Sequence, residues 1–189
     1  MIDIVNKTSE KYGLDLETMN IFAHHLRYIN IDKSVHLVES GGFDDNFYIL
    51  REGLLRAYLP DEDGDQTLWF GYPGQAIFNI WCYHYGRRSP ISIEAVIPSV
   101  VCRIPKADLE NLCSNSLPVC NLVRKIFIGH AAETEESTTS LFGCEGGLER
   151  YLSIQRRHPE LLQNVPLKKL ASYLHLAPQS LSRIRGKIK

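Results

Sequence analysis

The chain has 189 residues, room for one well-cored domain or two small ones, and at 44% hydrophobic and 23% charged it has the composition of an ordinary globular protein. No apolar run approaches the length of a membrane span, and the opening MIDIVNKTSEKYGLDLE carries neither a secretion signal nor a small-residue cleavage site, so a cytoplasmic protein with no membrane partner is expected. The net charge of −1 conceals a split: residues 149–189 hold nine bases against two acids, a net +7, which leaves −8 on the rest and suggests a basic module for a polyanion joined to an acidic body.

Leu16, Met19, Phe22, Ala23 and Leu26 recur at helical spacing after a candidate cap at Asp15, so the N-terminus is expected to form short helices. From Ile29 to Ile104, short β-rich segments (SVHLV, NFYIL, LLRAYL, QTLWFGY, ISIEAV, SVVCRI) alternate with turn clusters such as ESGG, PDEDGD and YPGQ. Strands at that spacing, without helices between them, predict an antiparallel sandwich or barrel. After Pro105 the pattern becomes helical. From Leu117 onward Val119, Leu122, Val123, Ile126, Phe127 and Ala131 form two adjacent apolar columns, wider than one barrel face requires. Two readings follow: one column on the body and the other on a second subunit, or a plain core-facing helix, which the stripe alone slightly favours. The polar run ETEESTTS and Gly143, Gly146 and Gly147 mark a hinge, followed by a helix around Leu148–Arg157 and a break at His158-Pro159.

The most informative segment is VPLKKLASYLHLAPQSLSRIRGKI, residues 165–188. Pro166 opens a helix whose apolar face is Leu167, Leu170, Ala171 and Leu174. His175, Leu176 and Ala177 make a turn, and Pro178 starts a second helix with Leu181, Ile184 and Ile188 inward and Gln179, Ser180, Ser182, Arg183 and Lys187 outward. This is a helix-turn-helix layout, and its outward residues suit the major groove, since glutamine pairs with adenine and arginine with guanine. Gln179 and Arg183, four apart, are the expected base readers. Lys168, Lys169, Ser180, Ser182, Arg185, Lys187 and Lys189 are assigned to the DNA backbone. His175 stands where such turns usually place a glycine for its positive φ, at a cost of about 1 kcal/mol.

Taken together, FYILREGLLRAYL around Gly53, IEAVIPSVVCRIPKADLENL, ERYLSIQRRHPELLQNVPLKKLASYL and LAPQSLSRIRGKI resemble the Crp/Fnr family of bacterial regulators over nearly the whole chain. The resemblance implies an α+β protein: a β-roll sensor (a jelly roll of the cyclic nucleotide-binding type) with N-terminal helices over residues 1–116, a dimerisation helix over 117–142, and a helix-turn-helix DNA-binding domain over 143–189. It implies double-stranded DNA and a second copy of the chain as partners. The sequence stops at Lys189 without the winged extension of many family members.

Family members that bind cyclic nucleotides hold the ribose with a Gly-Glu pair and clamp the phosphate with an Arg followed by Ser or Thr. The matching stretch here is GQAIFNIWCYHYGRRSPISIEAV: Gln75 stands where the Glu would be, Ser89 falls at the clamp, and Arg88 lies one residue away. Gly74, Gln75, Arg88 and Ser89 are therefore a candidate effector pocket, but for an unidentified small molecule rather than cAMP. Trp69, Phe70, Tyr72, Phe78, Trp81, Tyr83 and Tyr85 either line a different pocket or fill the roll.

No cofactor is called for. Five cysteines (Cys82, Cys102, Cys113, Cys120, Cys144), odd in number and without CxxC spacing, read as reduced, mostly buried thiols rather than a disulfide framework, zinc knuckle or Fe–S cluster. His36 and His84 offer no positive sign of haem. A metal-dependent jelly-roll enzyme would need clustered ligands, whereas His24, His25, His36, His84 and His130 are scattered without an HxH pair. The closest rival to a regulator is a ligand-binding module, for a small molecule or a cyclic nucleotide, with a degenerate DNA-binding tail.

Overall fold

The computed structural model describes residues 2–62 and 64–188. Two helices open the chain, α1 (Ile2–Tyr12) and α2 (Leu16–Ala23). Asp15 caps α2: its carboxylate accepts the Thr18 backbone N–H at 2.8 Å and so satisfies one of the free donors of the first turn. Eight strands follow: β1 (Arg27–Ile31), β2 (His36–Val38), β3 (Phe47–Glu52), β4 (Leu55–Leu59), β5 (Gln66–Gly71), β6 (Ala76–Phe78), β7 (Ser92–Ala95) and β8 (Ser99–Ile104), with a one-turn helix α3 (Ile80–Tyr83) between β6 and β7.

They pair antiparallel in two four-stranded sheets, ordered β1-β8-β3-β6 and β2-β7-β4-β5. The two sheets close over Leu50, Leu55, Ala57, Ile77, Ile93 and Val101, all buried. Side chains fill this interior so fully that the cavity bounded by Val38, Tyr48, Ile77 and Asn79 measures only about 10 Å³. The β3–β4 turn depends on Gly53, where φ is +102° and a Cβ would stand 2.1 Å from the Ser99 hydroxyl.

The antiparallel roll is the fold expected. Two strands escaped the sequence pattern. β6 is three residues inside GQAIFNIW, too short for alternation to show, and β1 is largely exposed, with a polar edge-strand composition.

Helix α4 (Lys106–Asn115) leads into the 26-residue α5 (Leu117–Phe142), whose cap is Ser116. Both apolar columns of α5 serve the chain's own core. Val119, Leu122, Val123 and Ile126 are buried with Met19, Phe22, Phe47, Ile104 and Leu109, and Phe127 packs against them. The plain core-facing reading thus describes five of the six stripe residues, because the core that α5 enters is shared with α1 and α2 and with β3, β6 and β8 of the roll. Only Ala131 of the six stripe residues is exposed. The apolar residues that α5 does present to solvent are Leu117 at its start, then Ile128, Ala131 and Ala132, and finally Phe142.

The C-terminal part comprises α6 (Gly147–Arg157), α7 (Pro159–Asn164), α8 (Leu167–Tyr173) and α9 (Pro178–Ile188). Its core of Ile154, Leu161, Leu170, Ala171, Leu174 and Leu181 is continuous with Leu141 of α5 and with Leu54, Phe70 and Val96 of the roll. Among the described residues no helix is long and apolar enough to cross a membrane. Cys82 and Cys102 are buried, but Cys113, Cys120 and Cys144 are only half-buried, so the thiols are less enclosed than their number and spacing imply.

Candidate nucleic-acid interface and effector pocket

Helices α8 and α9, joined through Leu174–Ala177, stand where a helix-turn-helix was expected. Ala171 and Leu181 are fully buried at the crossing, and the Leu176 N–H donates to the Ala171 carbonyl at 2.9 Å, closing the turn. His175 takes φ +52°, the left-handed conformation that the turn demands. Its ring stacks on Phe142 at 5.6 Å between centroids, which joins the turn to the end of α5 and gives a non-glycine residue there a compensating contact.

On α9, Gln179, Ser182, Arg183 and Lys187 are exposed, while Ser180 and Arg185 are half-exposed. The contacts of Arg183 stay within its own helix: Nε donates to the Gln179 carbonyl at 3.4 Å, and the guanidinium reaches the Ser180 hydroxyl at 3.5 Å. The two expected base readers therefore share one open face. Ile188, expected inward, is 38% exposed, since α9 outruns the core that Leu181 and Ile184 enter. Lys189 lies outside the described residues.

The two lysines of α8 differ. Lys168 is exposed, but Lys169, expected at a phosphate, is held by Glu94 of β7 at 2.5 Å. Burial alone would raise the Glu94 carboxyl, yet hydrogen bonds from Lys169 and Arg56 outweigh it and hold the group below the ordinary carboxylate value. Arg56, 1% exposed, donates to Glu94 at 2.9 Å, to Asp65 at 3.3 Å and to the Thr67 hydroxyl at 2.8 Å, and its guanidinium lies over the Tyr58 ring. No motif announces this cluster, whose members are scattered over β4, β5, β7 and α8.

The four residues of the candidate effector pocket divide into two places. Gly74, at φ +90°, lies against Lys7 of α1. Gln75 accepts the Tyr72 N–H at 2.7 Å and donates to Glu133 of α5 at 3.0 Å. Glu133 also takes Lys11 at 2.6 Å, and the Tyr12 hydroxyl, which accepts the Ala76 N–H at 3.0 Å, completes the knot; burial raises the Tyr12 phenol well above its ordinary value. Ser89 is buried elsewhere, accepting from the Asn79 amide and donating to the Ile91 carbonyl, both at 2.5 Å. Arg88 donates to the Gly41 carbonyl at 2.7 Å. Neither Arg88 nor Ser89 lines the cavity of about 260 Å³ that Gln75 shares with His130, Glu133 and Arg157.

A larger cavity, about 770 Å³, opens between β5, α3 and α5. Trp69, Phe78, Ile80, Trp81, Ile91, Phe127 and Phe142 make its walls mostly apolar, with Thr134, Ser137 and Thr138 as polar points. Of the aromatics singled out in the sequence, Phe70 and Phe78 are buried, Trp69, Tyr72 and Tyr83 half-buried, and Trp81 and Tyr85 exposed. Some of them line this pocket and others fill core, so both readings hold in part.

Comparison with known proteins places this geometry. Residues 29–116 match the family model described as the cyclic nucleotide-binding domain. Among solved structures the chain is similar to FixK2 from Bradyrhizobium japonicum, at 19% identity and a TM-score of 0.68, covering 86% of this chain and 84% of that one. It is similar to the c-di-GMP responsive global regulator CLP of Xanthomonas campestris, at 15% identity and a TM-score of 0.72, covering 92% and 91%. It also resembles a transcriptional regulator of the crp/fnr family from Eubacterium rectale, at 14% identity and a TM-score of 0.66, covering 91% and 82%. Over the residues covered, the chain thus has the fold of these regulators. Comparison with curated protein sequences finds no match.

The aromatic cavity, bounded by the roll on one side and α5 on the other, is in the size range of small-molecule sites. Sequence reasoning named several of its aromatics but not the cavity, because Phe127 and Phe142 come from a helix more than thirty residues beyond the domain's last strand residue that lines it.

Proposed function

We propose that this chain is a DNA-binding transcription regulator, not an enzyme, that acts as a homodimer in the cytoplasm and whose cyclic nucleotide-binding domain takes a small effector other than cAMP. Residues 1–116 sense, α5 carries the dimer interface, and residues 143–189 bind DNA. The observation that carries this reading is the open face of α9, where Gln179 and Arg183 stand exposed one helical turn apart on a helix anchored by Leu181. Lys168, Arg185 and Lys187 neutralise the DNA backbone around them, and Ser180 and Ser182 donate hydrogen bonds to its phosphates.

The effector reading rests on chemistry. A ribose needs the carboxylate that Gln75 lacks, and the amide standing there is already engaged at both ends. The cavity walled by Trp69, Phe78, Trp81 and Phe127 suits an apolar, aromatic molecule instead. The outward apolar residues of α5, Ile128 and Phe142 among them, supply the surface for a second copy.

An electrophoretic shift of the full chain with fragments of its own genome against random duplex tests the reading. A specific shift supports it. No shift with either duplex leaves the ligand-binding module with a degenerate tail.

A further inference from the structure

The acidic and basic parts of the chain meet at α8. The Ser172 hydroxyl donates to the Asp65 carbonyl at 2.7 Å and accepts the Thr67 N–H at 2.8 Å. The Thr67 hydroxyl reaches the Lys169 carbonyl at 3.2 Å, and the Lys169 ammonium sits on Glu94. Lys168 passes the β4–β5 turn, where a methyl added at Gly64 would lie 3.7 Å from its Cε. That turn carries Asp61, Glu62 and Asp65. The roll thus offers the first helix of the helix-turn-helix what a DNA strand would offer it: anionic oxygens, one of them directly on a lysine.

We infer that Glu94 and the acidic β4–β5 turn form an autoinhibitory latch, which holds α8 on the cyclic nucleotide-binding domain and competes with DNA phosphate for Lys169. The inference rests on the DNA-binding reading above.

Two features separate a latch from a permanent brace. The first is that Glu94 does not depend on Lys169, since Arg56 already pairs with it from within the roll. When Lys169 leaves, the buried carboxylate keeps its partner, so opening does not strand an uncompensated charge. Asp65, the second carboxylate on Arg56, is 42% exposed at its side chain and solvated in either state. The second is that Lys169 keeps over a quarter of its side chain exposed, so phosphate can reach it. Beside these polar contacts α8 also shares apolar core with the roll, through Leu54, Phe70 and Val96, Tyr173 meeting Phe70 edge-on at 5.0 Å. Thr67, which carries two of the latch's hydrogen bonds, also lines the aromatic cavity, so one strand serves both the latch and the proposed effector site.

The test uses the full-length chain and two variants, Glu94→Gln and Ser172→Ala. Each is titrated with a random-sequence duplex at several salt concentrations, and lysine acylation by acetic anhydride is read by mass spectrometry without DNA. Glu94→Gln should bind at least about fivefold more tightly than the parent, in the range of allosteric couplings. Ser172→Ala, which leaves Arg56 and Glu94 untouched, should gain less in the same direction and carries the test alone if Glu94→Gln does not fold. In the parent, Lys169 should acylate more slowly than Lys168. Equal or weaker binding by both variants, or acylation of Lys169 as fast as Lys168, overturns the latch while the DNA-binding reading stands. Failure of the parent and both variants to bind any duplex overturns that reading and the latch together.

Discussion

The stretch from Gly74 to Ala95 and helix α9 are both rich in polar side chains that the Crp/Fnr resemblance marks as ligand-binding, yet the structure treats them in opposite ways. In the first, Gln75 and Ser89 are bonded to neighbours within the protein, while Arg88, though it donates to the Gly41 carbonyl, is exposed. In the second, Gln179, Ser182, Arg183 and Lys187 stand in solvent. A polar group whose hydrogen bonds are already made internally gives up as much as it gains on meeting a ligand, whereas one facing water exchanges solvent for partner at little loss. Resemblance marks where a family binds; the state of each polar group says what a given chain can still do there.

The comparison extends to α5, where burial separates two neighbouring isoleucines. Ile126 is 0% exposed in the chain's own core, so Ile126→Asp is expected to unfold the monomer rather than dissociate a dimer, at a cost of about 4 kcal/mol or more measured by urea denaturation. Ile128, two residues on, is 57% exposed. Ile128→Asp with Leu117→Asp should leave the circular dichroism spectrum unchanged and halve the mass seen by light scattering at micromolar concentration. A doubly substituted chain that stays dimeric would move the interface elsewhere.

On α9, Arg183→Ala should weaken binding to the cognate site by about 1–3 kcal/mol and to random DNA hardly at all, as read by competitive gel shift. Lys187→Ala should weaken both alike and lower the salt slope by roughly one unit. Equal losses for Arg183→Ala on both duplexes would remove α9 as the reader.

A smaller effect is expected from acid. Burial, partly against Phe78, depresses the folded-state pKa of His130, and the ion pairs of Glu94 depress that of its carboxyl. Both groups therefore stabilise the fold fully above their unfolded values and lose that contribution as pH falls through the folded ones. For His130 the loss sets in below the ordinary 6.5, and for Glu94 below 4.5, so the thermal midpoint should fall in two steps on acidification. A midpoint that rose between those values would contradict the placement of His130. The smallest expected effect is none: calorimetry with cAMP should give no binding in the low micromolar range, and a clear heat there would show that Arg88 can swing from Gly41 into a phosphate clamp.

Much of the architecture was legible because it rests on local rules. Alternation and turn clusters marked six of the eight strands, Asp15 announced its helix, and the period of residues 117–131 announced α5. The helix-turn-helix stood out through Pro166, Ala171, Leu176, Pro178 and Leu181, all within a few turns of one another. β6 and α3 were missed because three or four residues are too few to show a period. The candidate effector pocket was drawn from positions along the family's cassette, and the chain turns Gln75 and Ser89 toward different neighbours, which spacing does not show.

What the sequence determined by itself, then, is what depends on neighbours along the chain: periodicity, caps, turn chemistry, the charge split and the spacing of Gln179 and Arg183. Only the tertiary structure decided that both apolar columns of α5 enter the monomer's own core, since that depends on α1 and α2, about a hundred residues earlier. It alone paired Lys169 with Glu94 across 75 residues and placed Phe127 opposite Trp69 around one cavity. A charge or a ring carries no sequence mark of the distant group it will meet; that meeting is set by how sheets and helices close on one another.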